Sequence, residues 1–134
     1  MERRNKISIC VLGLDQHEVG ALAAARMFRD AGMEVVYGGR FNLPDKIIED
    51  ALQDDVDLIG ISCHSWEYLE YIDELLDGLK AKKMAVPVVL AGSILTAEDR
   101  DELMARGVAE VFGASATPEH MIDTIDRLCG NGAA

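Results

Sequence analysis

Positive charge is in short supply: 13 Lys and Arg stand against 24 Asp and Glu in 134 residues, a formal net charge of −11. Such a surface repels nucleic acid phosphates and anionic lipid, which argues against polyanion binding as a function. Long apolar runs are missing too, and none approaches the roughly 20 residues that span a bilayer. The start Glu2-Arg3-Arg4-Asn5-Lys6 followed by Ile7 to Leu14 imitates a signal peptide, but the apolar part ends at Asp15 without a small-residue cleavage pattern. Cysteine is sparse. Cys10, Cys63 and Cys129 are odd in number and widely spaced, which fits neither a disulfide framework nor a paired metal clamp and points to a reducing cytoplasm. Internal repeats and an interdomain linker are also absent.

What is present suits one small domain, because 134 residues with 49% hydrophobic content support a single core. Residues 7–129 are expected to form it, between a solvated leader, 1–6, and a flexible tail, 130–134, that has nothing to bury. Short apolar runs alternate with helical patterns five times, the sign of a parallel sheet with helices on both faces. The strands are predicted at Ile7 to Leu12, Glu34 to Tyr37, Leu58 to Ser62, Val86 to Leu90 and Glu110 to Phe112. A first helix, about Val19 to Ala31, should be closed by Gly32, where a left-handed residue is wanted. Pro44 opens a second, with Ile47, Ile48, Ala51 and Leu52 as its buried stripe. The third, about Tyr68 to Ala81, carries Leu69, Ile72, Leu75, Leu76 and Leu79 on one face. Thr96 with Asp99 reads as a capping box for the fourth, which Gly107 ends. Thr117-Pro118 opens the last, with Met121, Ile122, Ile125 and Leu128 facing inward.

The segment Asp15-Gln16-His17-Glu18-Val19-Gly20 falls between the first strand and the first helix. In open parallel sheets ligands bind outside the carboxyl ends of the strands, so His17 stands where chemistry is placed. The pattern D-x-H-x-x-G there resembles the cobalamin-binding domain of acyl-CoA mutases such as methylmalonyl-CoA mutase, as a carboxy-terminal domain or detached small subunit. The likeness extends from Val11 to about Ile125. Asp30-Ala31-Gly32-Met33-Glu34-Val35, Gln53-Asp54-Asp55-Val56-Asp57-Leu58-Ile59-Gly60 and Gly107-Val108-Ala109-Glu110-Val111-Phe112-Gly113 match that family in order and spacing.

The resemblance implies an α/β fold: a flavodoxin-like (Rossmann-like), doubly wound, five-stranded parallel sheet of order 2-1-3-4-5 with helices on both faces. It also implies that the ends of the first, third, fourth and fifth strands converge on one site. Asp15, Gln16, His17, Gly20, Ser62, His64, Gly92, Ser93 and Gly113 are the expected cofactor contacts. Carried over from the family, His17 is the lower axial ligand of the cobalt in adenosylcobalamin, bound base-off, and the released nucleotide tail enters a slot beside the sheet. The residue types suit that chemistry. Neutral imidazole is a good ligand for a cobalt-like metal, and its second ring nitrogen commonly donates to a carboxylate, here Asp15. Gly20 with Ala21, Ala23, Ala24 and Ala25 offers a small-residue surface, Ser62 a hydroxyl, and Gly92 and Gly113 close backbone approach. Ser62-Cys63-His64 stands where the family has S-x-L, Trp66 where a small residue is common, and Gly92-Ser93 where it has Gly-Gly. Gly113-Ala114-Ser115-Ala116 replaces the usual Gly-containing loop. Val11 replaces a frequent lysine and Gln16 a frequent glycine.

The function so implied is the cobalamin-binding small subunit of an adenosylcobalamin-dependent mutase that rearranges the carbon skeleton of an acyl-CoA. The chain has no catalytic residue of its own in this reading. A large barrel-containing subunit would hold most of the acyl-CoA, and the small subunit alone would be inactive. The bland alternatives are N-terminal capping for Asp15, surface or subunit contact for His64 and Trp66, an inert thiol for Cys63 and a structural role for His120. A two-component receiver domain shares the winding, but it needs an Asp ending the third strand and a Lys ending the fifth, where Ser62 and Gly113 stand. A flavin phosphate loop demands a hydroxyl- and Gly-rich run in place of Asp-Gln-His-Glu. A zinc or corrinoid sensor or carrier without mutase activity, using His17, His64 and Cys63, is the remaining alternative. Methyl-carrying corrinoid proteins generally place a helical module before this fold, and six residues precede the first strand here.

Overall fold

A computed structural model describes residues 5–12, 19–62, 68–92, 95–113 and 116–129. Five strands, β1 (Lys6–Leu12), β2 (Glu34–Asn42), β3 (Leu58–Ser62), β4 (Val88–Ala91) and β5 (Glu110–Phe112), alternate with five helices. The helices are α1 (Val19–Asp30), α2 (Pro44–Asp54), α3 (Tyr68–Ala81), α4 (Ala97–Arg106) and α5 (Pro118–Leu128). All strand pairs are parallel and the order is β2-β1-β3-β4-β5, the doubly wound arrangement expected from the sequence.

Two hydrophobic layers sandwich the sheet, because alternate residues of each strand point to opposite faces. On one face Ile59, Ile61, Val88, Leu90 and Val111 pack against Ile47, Ile48, Ala51, Ile72, Leu75, Leu79 and Leu103 of α2, α3 and α4. On the other, Ile7, Ile9, Val11, Val89 and Phe112 meet Ala21, Ala25 and Phe28 of α1 and Ile125 of α5. Most of these side chains are fully buried, and burying one Leu, Ile or Val contributes roughly 1.5–3 kcal/mol. Gly78 of α3 lets α2 come close, since a Cβ there would collide with Cδ1 of Ile48.

Local signals explain the element ends. Gly32 takes φ 95° after α1, as a left-handed closing residue should. Thr96 Oγ1 accepts from the Asp99 N–H at 3.2 Å and Asp99 Oδ2 accepts from the Thr96 N–H at 3.0 Å, which completes the capping box. Thr117 Oγ1 caps α5 by accepting from the His120 N–H at 3.2 Å. Asn5, just ahead of β1, is buried and donates from Nδ2 to Asp126 Oδ1 at 3.0 Å.

Three expectations need correction. β4 starts at Val88 rather than Val86, because Pro87 has no N–H to give the ladder and contributes only its carbonyl, which accepts from Ile59 N–H at 3.0 Å. β2 runs five residues past Tyr37, through Gly38 and Gly39, and its pairing with β1 slips between Ile9 and Cys10 and again between Cys10 and Leu12. Leu52 is 56% exposed instead of buried. It lies about 100° round the helix from Ala51, away from the centre of the Ile47, Ile48 and Ala51 stripe.

Candidate functional site

The carboxyl ends of β1, β3, β4 and β5 are where the winding reverses and the connections leave the sheet in opposite directions. A cavity of about 210 Å³ opens there on the α1 and α5 face. Its floor is Ile7 and Ile9 of β1, Gly60 and Ser62 of β3, Val89 and Ala91 of β4 and Phe112 of β5. Gly20, Ala21, Ala24 and Phe28 of α1 form one wall, and Ala116, Met121 and Ile125 at and within α5 form the other.

Small residues make the space. Gly60 interrupts an otherwise β-branched and leucine strand, and a Cβ there would sit in ordinary contact, 3.5 Å from Ile9 Cγ1 and 3.9 Å from Val89 Cγ2. An added side chain would therefore fill the floor without forcing the strands apart. Gly113 is more constrained, since a Cβ would stand 3.0 Å from the Leu95 carbonyl oxygen, tighter than most real contacts. Gly20 and Ala24, four apart on α1, lie on the same helix face and hold the wall back from the sheet.

The lining is uncharged. Among the described residues Ser62 supplies its one polar side chain, at the end of β3 where the strand pairs with Val11 of β1 and Ala91 of β4. Charge stands behind it. Glu110 is buried, and its Oε1 accepts from Arg100 Nε at 2.9 Å and from the Val111 N–H at 3.0 Å. Burial alone would raise the Glu110 pKa, but those two hydrogen bonds, with the charges of Arg100 and His120, outweigh it and hold the carboxyl below its ordinary range. The His120 ring stands edge-on to Phe112, with centroids 5.8 Å apart, so the wall at Phe112 is braced from outside the cavity. This agrees with a structural role for His120.

Four of the sequence-predicted site residues, Gly20, Ser62, Gly92 and Gly113, line this one cavity although they come from four separate segments of chain. Asp15, Gln16, His17, His64 and Ser93 lie outside the described residues, as do Cys63 and Trp66. Ala21 and Ala24 line the wall, whereas Ala23 is exposed and Ala25 packs into the core. The sequence reading missed the deeper lining, Ile7, Ile9, Gly60, Phe28, Phe112 and Met121. Gly60 was the available signal, because a glycine inside a strand marks close approach by another group. Cys10 lies on the opposite face, where burial outweighs the neighbouring Lys46 and pushes its thiol up to about 12, an inert state.

Comparison with known proteins then bears on what the cavity is for. The B12 binding domain family matches residues 5–122. This chain belongs to that family. The small subunit of 2-hydroxyisobutanoyl-CoA mutase from Aquincola tertiaricarbonis is 32% identical over 123 residues, which are 92% of this chain and 90% of that subunit. Methylmalonyl-CoA mutase from Cereibacter sphaeroides is 30% identical over 127 residues, but the match spans only 18% of its length. Among solved structures, a cobalamin-binding protein from Desulfitobacterium hafniense DCB-2 shares the fold, with a TM-score of 0.80, 20% identity and coverage of 93% of this chain and 59% of that one.

The cavity can be tested against such a ligand on its own dimensions. An apolar cavity of roughly 150 Å³ accepts benzene. The space here is about 210 Å³ and open at its mouth. That is room for one aromatic ring between uncharged walls, with the remainder of a larger group leaving through the opening. No helix among the described residues is long and apolar enough to cross a membrane.

Proposed function

We propose that this chain is the cofactor-binding small subunit of an adenosylcobalamin-dependent acyl-CoA mutase, working in the cytoplasm with a large barrel-containing subunit. The observation that carries the reading is the convergence of Gly20, Ser62, Gly92 and Gly113 on one uncharged slot at the carboxyl ends of the strands. In this assignment the slot takes the nucleotide base of the cofactor, and His17, oriented by Asp15, is the lower axial ligand. Gln16, His64 and Ser93 border the same cofactor. Adenosylcobalamin supplies a cobalt–carbon bond that can break homolytically, and carbon-skeleton rearrangement depends on that chemistry.

The chain's own residues bind, orient and exclude water. Ile7, Ile9, Phe28, Val89 and Phe112 give the base an apolar berth that water solvates poorly. Ser62, at the carboxyl end of β3, can donate a hydroxyl hydrogen bond to a ring nitrogen or the linker. With the base held in the slot, His17 would hold the cobalt through an imidazole nitrogen and Asp15 would orient that ring. Residues that hold the acyl-CoA belong to the large subunit, so the small subunit alone does not turn over.

The test is to add adenosylcobalamin to the purified protein and record its absorption spectrum beside His17→Ala. Retained corrinoid with a base-off, imidazole-ligated spectrum in the wild type, lost in the variant, is the expected result. Identical spectra with no retained corrinoid refute the assignment. Coexpression with the large subunit should then restore mutase activity.

A further inference from the structure

The carbonyl of Val11, one residue before the end of β1, faces a gap in the sheet. Between Cys10 and Leu12 on β1 the partner strand advances from Gly39 to Asn42, three residues against two, and just before that Ile9 to Cys10 is matched by Tyr37 to Gly39. Two successive bulges of this kind open the β1–β2 ladder at the place where β1 leaves the sheet. A buried carbonyl without a partner there would be costly.

Asn42 fills that gap with its side chain. It is 1% exposed, and its Nδ2 donates to Gly39 O at 2.7 Å, Val11 O at 3.2 Å and Gly38 O at 3.4 Å. Its Oδ1 accepts from Lys46 Nζ at 3.1 Å, and Lys46 is held in turn by Asp50 at 2.8 Å. The amide therefore takes over the work of missing ladder N–H groups and ties the end of β1 to both glycines of the bulged strand. On its other side Val11 is already paired to Ser62 of β3. The end of β1, the strand that leads to Asp15 and His17, is thus clamped from both neighbours.

We propose that Asn42 is a positioning residue for His17: by fixing the exit of β1 it sets where the imidazole can stand relative to the cobalt. The proposal rests on the cobalamin reading above. Asparagine is required because the site needs two N–H hydrogens aimed at carbonyls and an oxygen aimed at a cation, and aspartate supplies none of the donors. Groups bonded directly to a metal ligand change metal affinity roughly 10- to 100-fold when removed, and Asn42, one step further out, is expected at the lower end of that range.

The test uses cob(II)alamin, whose electron paramagnetic resonance spectrum is split by the axial nitrogen, on protein labelled with 15N-histidine. Wild type, Asn42→Ala and Asn42→Asp are compared with Ile48→Val, a control that loosens the packing of α2 without removing a partner of the Asn42 amide. The expected result is the labelled-histidine splitting in wild type and Ile48→Val, and its loss or broadening in both Asn42 variants. Cobalamin affinity should fall about tenfold or more in those variants while the far-ultraviolet dichroism stays native. Should Asn42→Ala fail to fold, Asn42→Ser, which keeps a shorter donor, is read by the same splitting. Wild-type protein that binds cobalamin without histidine splitting overturns the ligand assignment itself. Unchanged splitting and affinity in the Asn42 variants overturn the positioning role alone.

Discussion

Filling the slot should separate tail binding from every other contact with the corrinoid. Ala24 lies on the α1 wall, partly buried, with open cavity in front of it. Replacing it by Phe places one aromatic ring in the 210 Å³ that the base would otherwise occupy. A buried aromatic of that kind removes on the order of 200 Å² from water, worth about 5 kcal/mol at ~25 cal/mol per Å². Excluding the base forfeits that amount, and at about 1.4 kcal/mol per decade it corresponds to a rise of roughly 10³- to 10⁴-fold in the dissociation constant for cobalamin. The fold should not suffer. Phe costs about half a kcal/mol in helix propensity against Ala, and its burial repays more than that, so the melting temperature should hold or rise. The assay is a pair of titrations, one with cobalamin and one with cobinamide, which has the corrin but no nucleotide tail. Ala24→Phe should weaken the first by about three to four decades and leave the second nearly unchanged. A variant that keeps wild-type affinity for cobalamin, base-off, would show that the tail lies elsewhere and that the cavity has been misread.

The same lining predicts which lower base is accepted. Adenine brings an exocyclic amine and extra ring nitrogens into a slot whose described side chains offer one hydroxyl, and each unmet polar group costs about 1–3 kcal/mol. In competition, a cobamide with an adenine base should bind about 10- to 100-fold more weakly than one with a dimethylated benzimidazole, and equal affinity would contradict the apolar reading. The Glu110 carboxyl, held low chiefly by Arg100 against the effect of burial, gives stability that is complete above the ordinary glutamate range. That stability is lost as pH falls through the lower folded value. Urea denaturation of wild type should therefore weaken steeply below about pH 4.3, and Glu110→Gln should show less of that acid dependence; parallel curves would refute the linkage.

Much of the fold is legible in the sequence, and for identifiable reasons. The alternation of short apolar runs with 3.6-period stripes is produced by the two layers that pack on the sheet, so Ile72, Leu75, Leu76 and Leu79 announced α3 as directly as they fill its core face. Thr96 with Asp99 announced its helix start because the bonds that make the cap are local in sequence. Where bonding is not local the reading failed. Nothing in Gly38-Gly39 suggests that a strand continues through them, because what carries it on is a side-chain amide from Asn42 reaching back to β1, a residue 31 positions away. Pro87 was read by its apolar flanks rather than by its missing donor, which decides the ladder.

The site divides along the same line. Gly20, Gly92 and Gly113 stood out because they fall at strand and helix ends, the only positions where a parallel sheet exposes its backbone to a ligand. The deeper walls did not, since Ile7, Ile9, Val89 and Phe112 are chosen by rules no different from those of any core residue. What turns that stretch of core into a slot is subtraction: Gly60, Ala21, Ala24 and Ala116 each withhold the side chain that would have completed the packing between α1, α5 and the sheet. A close-packed interior loses contacts wherever such space is left. A fold that accepts that loss at four positions around one point is shaped for an apolar guest, and the cost of the void is offset only when the guest is in place.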